Sequence, residues 1–189
     1  MGELGRARGI LLVSVREYVS THEGVARWGE ILRALPDEDR HHLGELVLAG
    51  GWYPVGVWNR LVDEIRKREG DRYVLRLARH IADSDLSLIF RIALKLGSPE
   101  FVVKRFGWVF KQYFRGAQLE SAPRSSRRWG LTITGGTGVD EAPGEAVCAI
   151  GTEGWVSTAL ERTGVRSARL VKVGCRFHDA AACSYDLSW

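Results

Sequence analysis

The hydrophobic period of the chain changes near Gly116, and that change limits the folds open to it. Before this point apolar residues recur every three or four positions; after it they alternate. The first spacing lines one face of an α-helix and the second lines one face of a β-strand. Helices followed by a run of neighbouring strands predict an α+β fold with an antiparallel sheet.

In residues 1–114 the spacing predicts helices over Gly9–Thr21 and Glu23–Leu35, with Pro36-Asp37 as punctuation. After "AGGWYP", Pro54 sits where a first helical turn tolerates it. Val55, Trp58, Leu61, Val62 and Ile65 then form one stripe, closed by Gly70. Asp71–Ile81 reads as another helix. Asp83, Ser84 or Asp85 is expected to cap the next, which would bury Leu86, Ile89, Phe90 and Ala93. Ser98 as cap and Pro99 as first residue open a helix to Arg115. That helix carries Phe101, Phe106, Trp108, Phe110, Tyr113 and Phe114 on nearly every side. A helix apolar all round belongs in a core, or lines a cavity or an interface.

In residues 115–189 a short strand is expected at Ala117–Ser121, and Trp129, Leu131 and Ile133 mark a second, inward-facing one. Glu145–Thr163 reads as a helix with Gly164 as its stop. Its Gly151, Gly154 and Thr158 would let it pack closely on the sheet. Two strands close the chain. One points Val171, Val173, Cys175 and Phe177 inward, the other Cys183, Tyr185, Leu187 and Trp189. The expected whole is one domain over residues 1–189, a helical half packed on a four-stranded antiparallel β-β-α-β-β half.

The last fifteen residues, "CRFHDAAACSYDLSW", raise the question of metal. Zinc asks for four ligands. Cys175, Cys183, His178 and the distant Cys148 have no Cys-x-x-Cys pair among them. The register that sets Cys175 opposite Cys183 also sends the apolar residues inward, so these read as buried thiols of a hairpin, with a cross-strand disulfide left open for protein handled in air. No metal and no cofactor are expected. "TGGTGVD" lacks the Lys-Ser/Thr of a phosphate loop.

A formal charge of +4 accompanies no nucleic-acid-reading module, so no nucleic-acid partner is expected. The apolar run near the start is too short to span a membrane, and a cytoplasmic address is the default. No Ser-His-Asp set, paired carboxylates or metal cluster presents itself, which speaks against an enzyme.

The closing motif resembles that of 4-vinyl-reductase-type ligand-binding domains, in which a Cys, a turn Gly and a second Cys lead into an aromatic-rich last strand. "REYVSTHEG", "LRALPDEDR", "GGWYPVGVWNRL", "ADSDLSLIFRIALKLGSPEFVVKR" and "GWVSTALERTGVRSARL" resemble a group of myxobacterial paralogues of unknown function related to that domain. The resemblance implies a fold shared with haem-nitric-oxide-associated domains and vesicle-tethering TRAPP-like subunits: a helical layer over an antiparallel sheet, often with a hydrophobic cavity and often dimeric. Asp179 replaces the turn glycine. Of the five histidines only His80 is placed to face inward, and the Tyr-x-Ser-x-Arg pattern of haem-nitric-oxide domains is missing, so haem is not expected.

Two functions follow as expectations. One is a sensor of a small apolar molecule, held by Trp52, Tyr53, Phe106, Phe110 and Trp155 in a pocket between helices and sheet. The other is a homodimeric interaction module without ligand, built on surplus aromatic surface.

Overall fold

A computed structural model describes residues 4–44, 46–89 and 98–189, with the backbone alone for residues 85–89. The helical half contains α1 (Gly9–His22), α2 (Val25–Ala34), α3 (Asp37–Gly44), α4 (Val55–Glu69), α5 (Asp71–Ile89), α6 (Pro99–Val103) and α7 (Phe106–Tyr113). Three very short strands are threaded between them: β1 (Arg6–Arg8), β2 (Trp52–Pro54) and β3 (Phe114–Arg115). They form a small antiparallel sheet in the order β2-β1-β3, with the fully buried Ala7 at its centre. This sheet launches α1 and α4 and receives the end of α7, which fixes three helices at one point.

The second half is β4 (Ala117–Ser125), β5 (Arg128–Gly135), a π-helical turn (Val147–Gly151) running into α8 (Thr152–Glu161), then β6 (Arg169–Gly174) and β7 (Cys183–Ser188). The strands make one antiparallel sheet in the order β4-β5-β7-β6. The predicted α+β architecture with a four-stranded antiparallel sheet is the one observed.

The stripe of Val55, Trp58, Leu61, Val62 and Ile65 is buried on α4, as its period requires. Trp129, Leu131 and Ile133 on β5 and Cys183, Tyr185 and Leu187 on β7 are buried together. Ser98 caps α6, its hydroxyl accepting from the Phe101 N–H at 3.3 Å, and Pro99 takes the first turn. Asp179 holds the positive φ (61°) of the closing turn, a conformation aspartate adopts more readily than most residues.

Four expectations are corrected. First, α5 runs on through Asp83, Ser84 and Asp85 without a new cap. The Asp83 carboxylate accepts from Arg162 at the end of α8 (2.5 and 3.0 Å) rather than turning back on its own backbone. Whether Leu86, Ile89, Phe90 and Ala93 are buried falls outside the described residues and side chains.

Second, the aromatic segment is not one helix. It breaks at Lys104-Arg105, where the Arg105 guanidinium lies 3.4 Å over the Phe101 ring. Its rings are then sorted: Phe106, Phe110, Tyr113 and Phe114 are buried, while Trp108 is 53% exposed.

Third, the outer strand is turned over. Leu170 faces Leu187 and Lys172 faces Tyr185, which leaves Val171 and Val173 exposed. A bulge between Lys172 and Gly174 shifts the register, so only beyond it does Gly174 face Ser184, the alignment the cysteine-paired hairpin requires.

Fourth, the small residues of α8 serve a helix contact. A Cβ on Gly154 would sit 2.7 Å from the Leu75 carbonyl oxygen and 2.9 Å from the Ala78 Cβ, so α8 lies directly on α5.

Candidate functional site

Where α4, α5, α7, the π-helical turn and α8 converge, the side chains do not quite meet, and a cavity of about 90 Å³ remains. Its wall is almost wholly hydrocarbon: Leu11 from α1, Trp58 and Val62 from α4, Val74, Leu77 and Ile81 from α5, Phe106, Val109, Phe110 and Tyr113 from α7, Phe114 from β3 and Leu119 from β4. Val147, Thr152, Trp155 and Val156 close it on the other side. The one hydroxyl of a threonine here is already used, Thr152 Oγ1 donating to the Val147 carbonyl at 3.0 Å.

The rings hold one another in place. Phe106 and Trp155 meet edge to face at 5.5 Å, Tyr113 and Trp155 at 6.2 Å, and Phe110 lies 5.2 Å from Phe114. Gly107 makes the arrangement possible. A Cβ there would lie 2.4 Å from the Leu119 carbonyl oxygen, so α7 rests directly on β4 and delivers Phe106 and Phe110 to the cavity.

Of the five residues the sequence assigns to a ligand pocket, the structure brings three together on this wall: Phe106, Phe110 and Trp155. Trp52 and Tyr53 lie elsewhere, on β2. Trp52 is held between the Arg8 and Arg115 guanidiniums, 5.0 and 4.2 Å from its ring centroid, and the Tyr53 hydroxyl accepts from the Leu48 N–H at 2.9 Å. Trp58, one helical turn into α4, takes the place they were expected to fill. Its membership of the apolar stripe was legible, but nothing in the spacing said that the stripe borders a void.

The cysteines are free thiols. Cys183, fully buried, meets Cys148 of the π-helical turn and the buried Arg176, whose Nη1 is 3.8 Å from Cys183 Sγ. Cys175 is instead 3.0 Å from the Lys172 ammonium, and His178 pairs with Glu145 at 2.9 Å. No group of three or more His, Cys, Asp or Glu is placed to hold a metal ion among the described residues. Among them, too, no helix is long and apolar enough to cross a membrane.

No family model matches this chain. No curated protein matches it either. Solved structures do. An H-NOX protein from Shewanella oneidensis in the Fe(II)NO ligation state superposes with a TM-score of 0.72 at 13% identity, covering 96% of this chain and 98% of that one. The Fe(II) unliganded H-NOX protein from K. algicida gives 0.69 at 10% identity over 96% and 95%. A structure probing haem distortion in the H-NOX family gives 0.67 at 8% identity over 96% and 94%. The fold is therefore the H-NOX fold over essentially the whole chain.

Haem, the group of that last neighbour, does not fit the residues present. A cavity of about 90 Å³ is far below the 300–1,000 Å³ typical of pockets for larger ligands. An axial ligand is commonly an imidazole or a thiolate, and the wall offers neither. His22 stacks on Tyr18 at 4.1 Å, His80 lies 5.0 Å from the same ring, His41 and His42 sit on α3 and His178 is on the closing turn.

Proposed function

We propose that this chain is a sensing domain for a small apolar molecule that binds without haem. The observation that carries the reading is the hydrocarbon-walled cavity at the meeting point of α4, α5, α7 and α8. Dry apolar cavities of a comparable order, roughly 150 Å³, take up benzene or xenon. The likeness to H-NOX structures supports the reading, because in this fold the helical layer and the sheet half enclose a common interior. The closing motif's resemblance to 4-vinyl-reductase-type ligand-binding domains points the same way.

A ligand here would touch elements from both halves at once, the long helix α5 and the π-helical turn included. It would thereby stabilise one arrangement of the halves against another, which is the thermodynamic requirement of a sensor. Its size class is set by the volume: about one aromatic ring, not a fatty acid or a tetrapyrrole. No catalytic set adjoins the wall, and the proposed role is non-enzymatic.

The test is thermal unfolding and isothermal titration with xenon, benzene and toluene. At a hundred times its dissociation constant a ligand specific to the folded state adds about 2.7 kcal/mol. No shift of the melting temperature by any of them at saturation overturns the reading.

A homodimer is the second reading, and the observation in its favour is Trp108, 53% exposed on α7 beside the cavity-lining face. Light scattering over a dilution series at tens of micromolar decides it, a monomer mass throughout counting against it.

A further inference from the structure

Of the three cysteines, two meet in the interior. Cys148 on the π-helical turn and Cys183 on β7 are both fully buried, and the Cys148 thiol donates to the Cys183 sulfur. Bonds on two sides hold this contact. Tyr185, on the same inward face of β7 as Cys183, donates its hydroxyl proton to the Cys148 carbonyl. The Pro143 carbonyl lies 4.0 Å from Cys148 Sγ and accepts from Nη2 of Arg176, whose Nη1 is 3.8 Å from Cys183 Sγ. The charged or titratable groups facing Cys183 include Cys148, Arg176, Lys172 and Tyr185, of which Arg176 and Lys172 are cations. The thiolate is the nucleophilic form of cysteine, and neighbouring cations favour it. Cys183 therefore holds the place of an attacking sulfur, and Cys148, which keeps its proton, that of a resolving one. Cys175 is half-buried and sits instead against the Lys172 ammonium at 3.0 Å.

We propose that Cys148 and Cys183 are a redox latch: a hydroperoxide closes them to a disulfide that ties the π-helical turn to the sheet, and a thiol reductant reopens it. The Cys183 thiolate attacks one oxygen of the hydroperoxide, and the O–O bond breaks. With hydrogen peroxide the sulfur becomes a sulfenic acid, and the other oxygen leaves as hydroxide, which takes a proton from solvent to become water. The Cys148 sulfur then displaces the hydroxyl from Cys183. The S–S bond forms, the Cys148 proton goes to the departing hydroxide, and another water is released. The thiols give up two electrons and the peroxide takes them. Burial selects the oxidant, because hydrogen peroxide is little larger than water, whereas glutathione disulfide cannot reach a sulfur with no exposed surface. The latch stands apart from the proposed sensing role, although Val147, next to Cys148, is part of the cavity wall.

The reduced wild-type chain is treated with hydrogen peroxide under native conditions, its remaining thiols are blocked with iodoacetamide in denaturant, and the cysteines are mapped by peptide mass. The expected product joins the Cys148 and Cys183 peptides, and dithiothreitol should return both thiols. Cys175→Ser should form the same bond at the same rate. Amide exchange over residues 147–151 should slow on oxidation and recover on reduction. Glutathione disulfide at the same concentration should leave the pair reduced over the same time. A Cys175–Cys183 bond, or oxidation of Cys175 while both buried cysteines stay thiols, overturns the proposal. So does a bond that leaves amide exchange in the turn unchanged, since nothing is then latched. Equal rates with the two oxidants overturn it as well, because the pair would then react only in the unfolded chain. Should Cys175→Ser not fold, the wild-type map and exchange decide alone.

Discussion

Arg176 and Cys183 meet in the interior, guanidinium Nη1 3.8 Å from Sγ, with the two residues 6% and 0% exposed. The other donors of Arg176 go to the Gly136 carbonyl (3.3 Å) and the Pro143 carbonyl. A buried cation surrounded by carbonyls wants an anion, and the sulfur is the group in reach that can become one. A hydrogen bond from Cys148 and then the Arg176 charge hold the Cys183 thiol well below its ordinary value, while the Cys148 thiol is pushed up as the donor of the pair.

The sign of the pH dependence follows. A thiol whose folded value is depressed stabilises the fold above the unfolded value, near 8.5, and loses that contribution as pH falls through the lower folded one. The denaturation midpoint should therefore climb between mildly acid pH and pH 8.5 more steeply in the wild type than in Cys183→Ala. Parallel slopes for the two proteins would show that Cys183 is a neutral thiol. At pH 8 the alanine variant should also lose about 3–5 kcal/mol, because it leaves the guanidinium buried without a counter-charge.

That cluster also shows how far the sequence could be read. Helices and strands were legible because burial imposes its period directly: the α4 stripe and the alternation of β5 and β7 sit where they were predicted. Registers and small junctions were not. The bulge on β6 adds one residue, which is invisible in a run that alternates on either side of it, and it exchanges Val171 and Val173 for Leu170 as the inward set. The true neighbours of Cys183 lie outside the β6–β7 ladder altogether. One of them, Cys148, lies 35 positions away on a π-helical turn that no local pattern announces, and the other, Arg176, falls by simple alternation on the face opposite Cys175 and Phe177. The β2-β1-β3 sheet is built from strands of two and three residues, too short to carry any period, and it draws Trp52 and Tyr53 away from the cavity.

Asp39 and Arg60 make a second buried charge contact. Asp39 is fully buried and accepts from both Nε and Nη2 of Arg60 (2.6 and 2.7 Å), fastening α3 to α4. Asp39→Ala should cost on the order of 3–5 kcal/mol in urea unfolding, since it leaves the guanidinium with only the more distant Asp140 at 3.5 Å. Arg60→Met should cost at least as much: its stem keeps the packing, but the change strands the fully buried Asp39 carboxylate, whereas the Arg60 side chain is 29% exposed and can still reach water. An Asp39→Ala loss below 1 kcal/mol would show that water reaches the pair.

Haemin gives a direct check on the cavity chemistry. Protein expressed with a haem precursor and purified should lack a Soret band, and haemin added to it should give no axially coordinated spectrum. A stoichiometric Soret band would mean that the interior opens far beyond its 90 Å³ and recruits a ligand from outside the present wall.

The last prediction concerns Phe110 and Gly107, which shape the cavity in opposite senses. Phe110→Ala removes a ring that is already short of neighbours on its cavity side. Its cost should therefore fall at or below the lower end of the roughly 3–5 kcal/mol of an aromatic truncation. The space released adjoins the existing void, so the variant should bind larger hydrocarbons such as naphthalene and lose affinity for benzene. Gly107→Ala acts through the backbone. Its methyl would fall 2.4 Å from the Leu119 carbonyl oxygen, and α7 must back away from β4 to admit it. Overpacking of this kind costs typically 1–3 kcal/mol, and here it also displaces Phe106 and Phe110 from the wall. The two variants, compared by denaturation and by titration with benzene and naphthalene, should separate: an enlarged selectivity for Phe110→Ala, and weakened binding of both molecules for Gly107→Ala. If Phe110→Ala takes no naphthalene and loses the full cost of a core ring, Phe110 is packing and not the wall of a site.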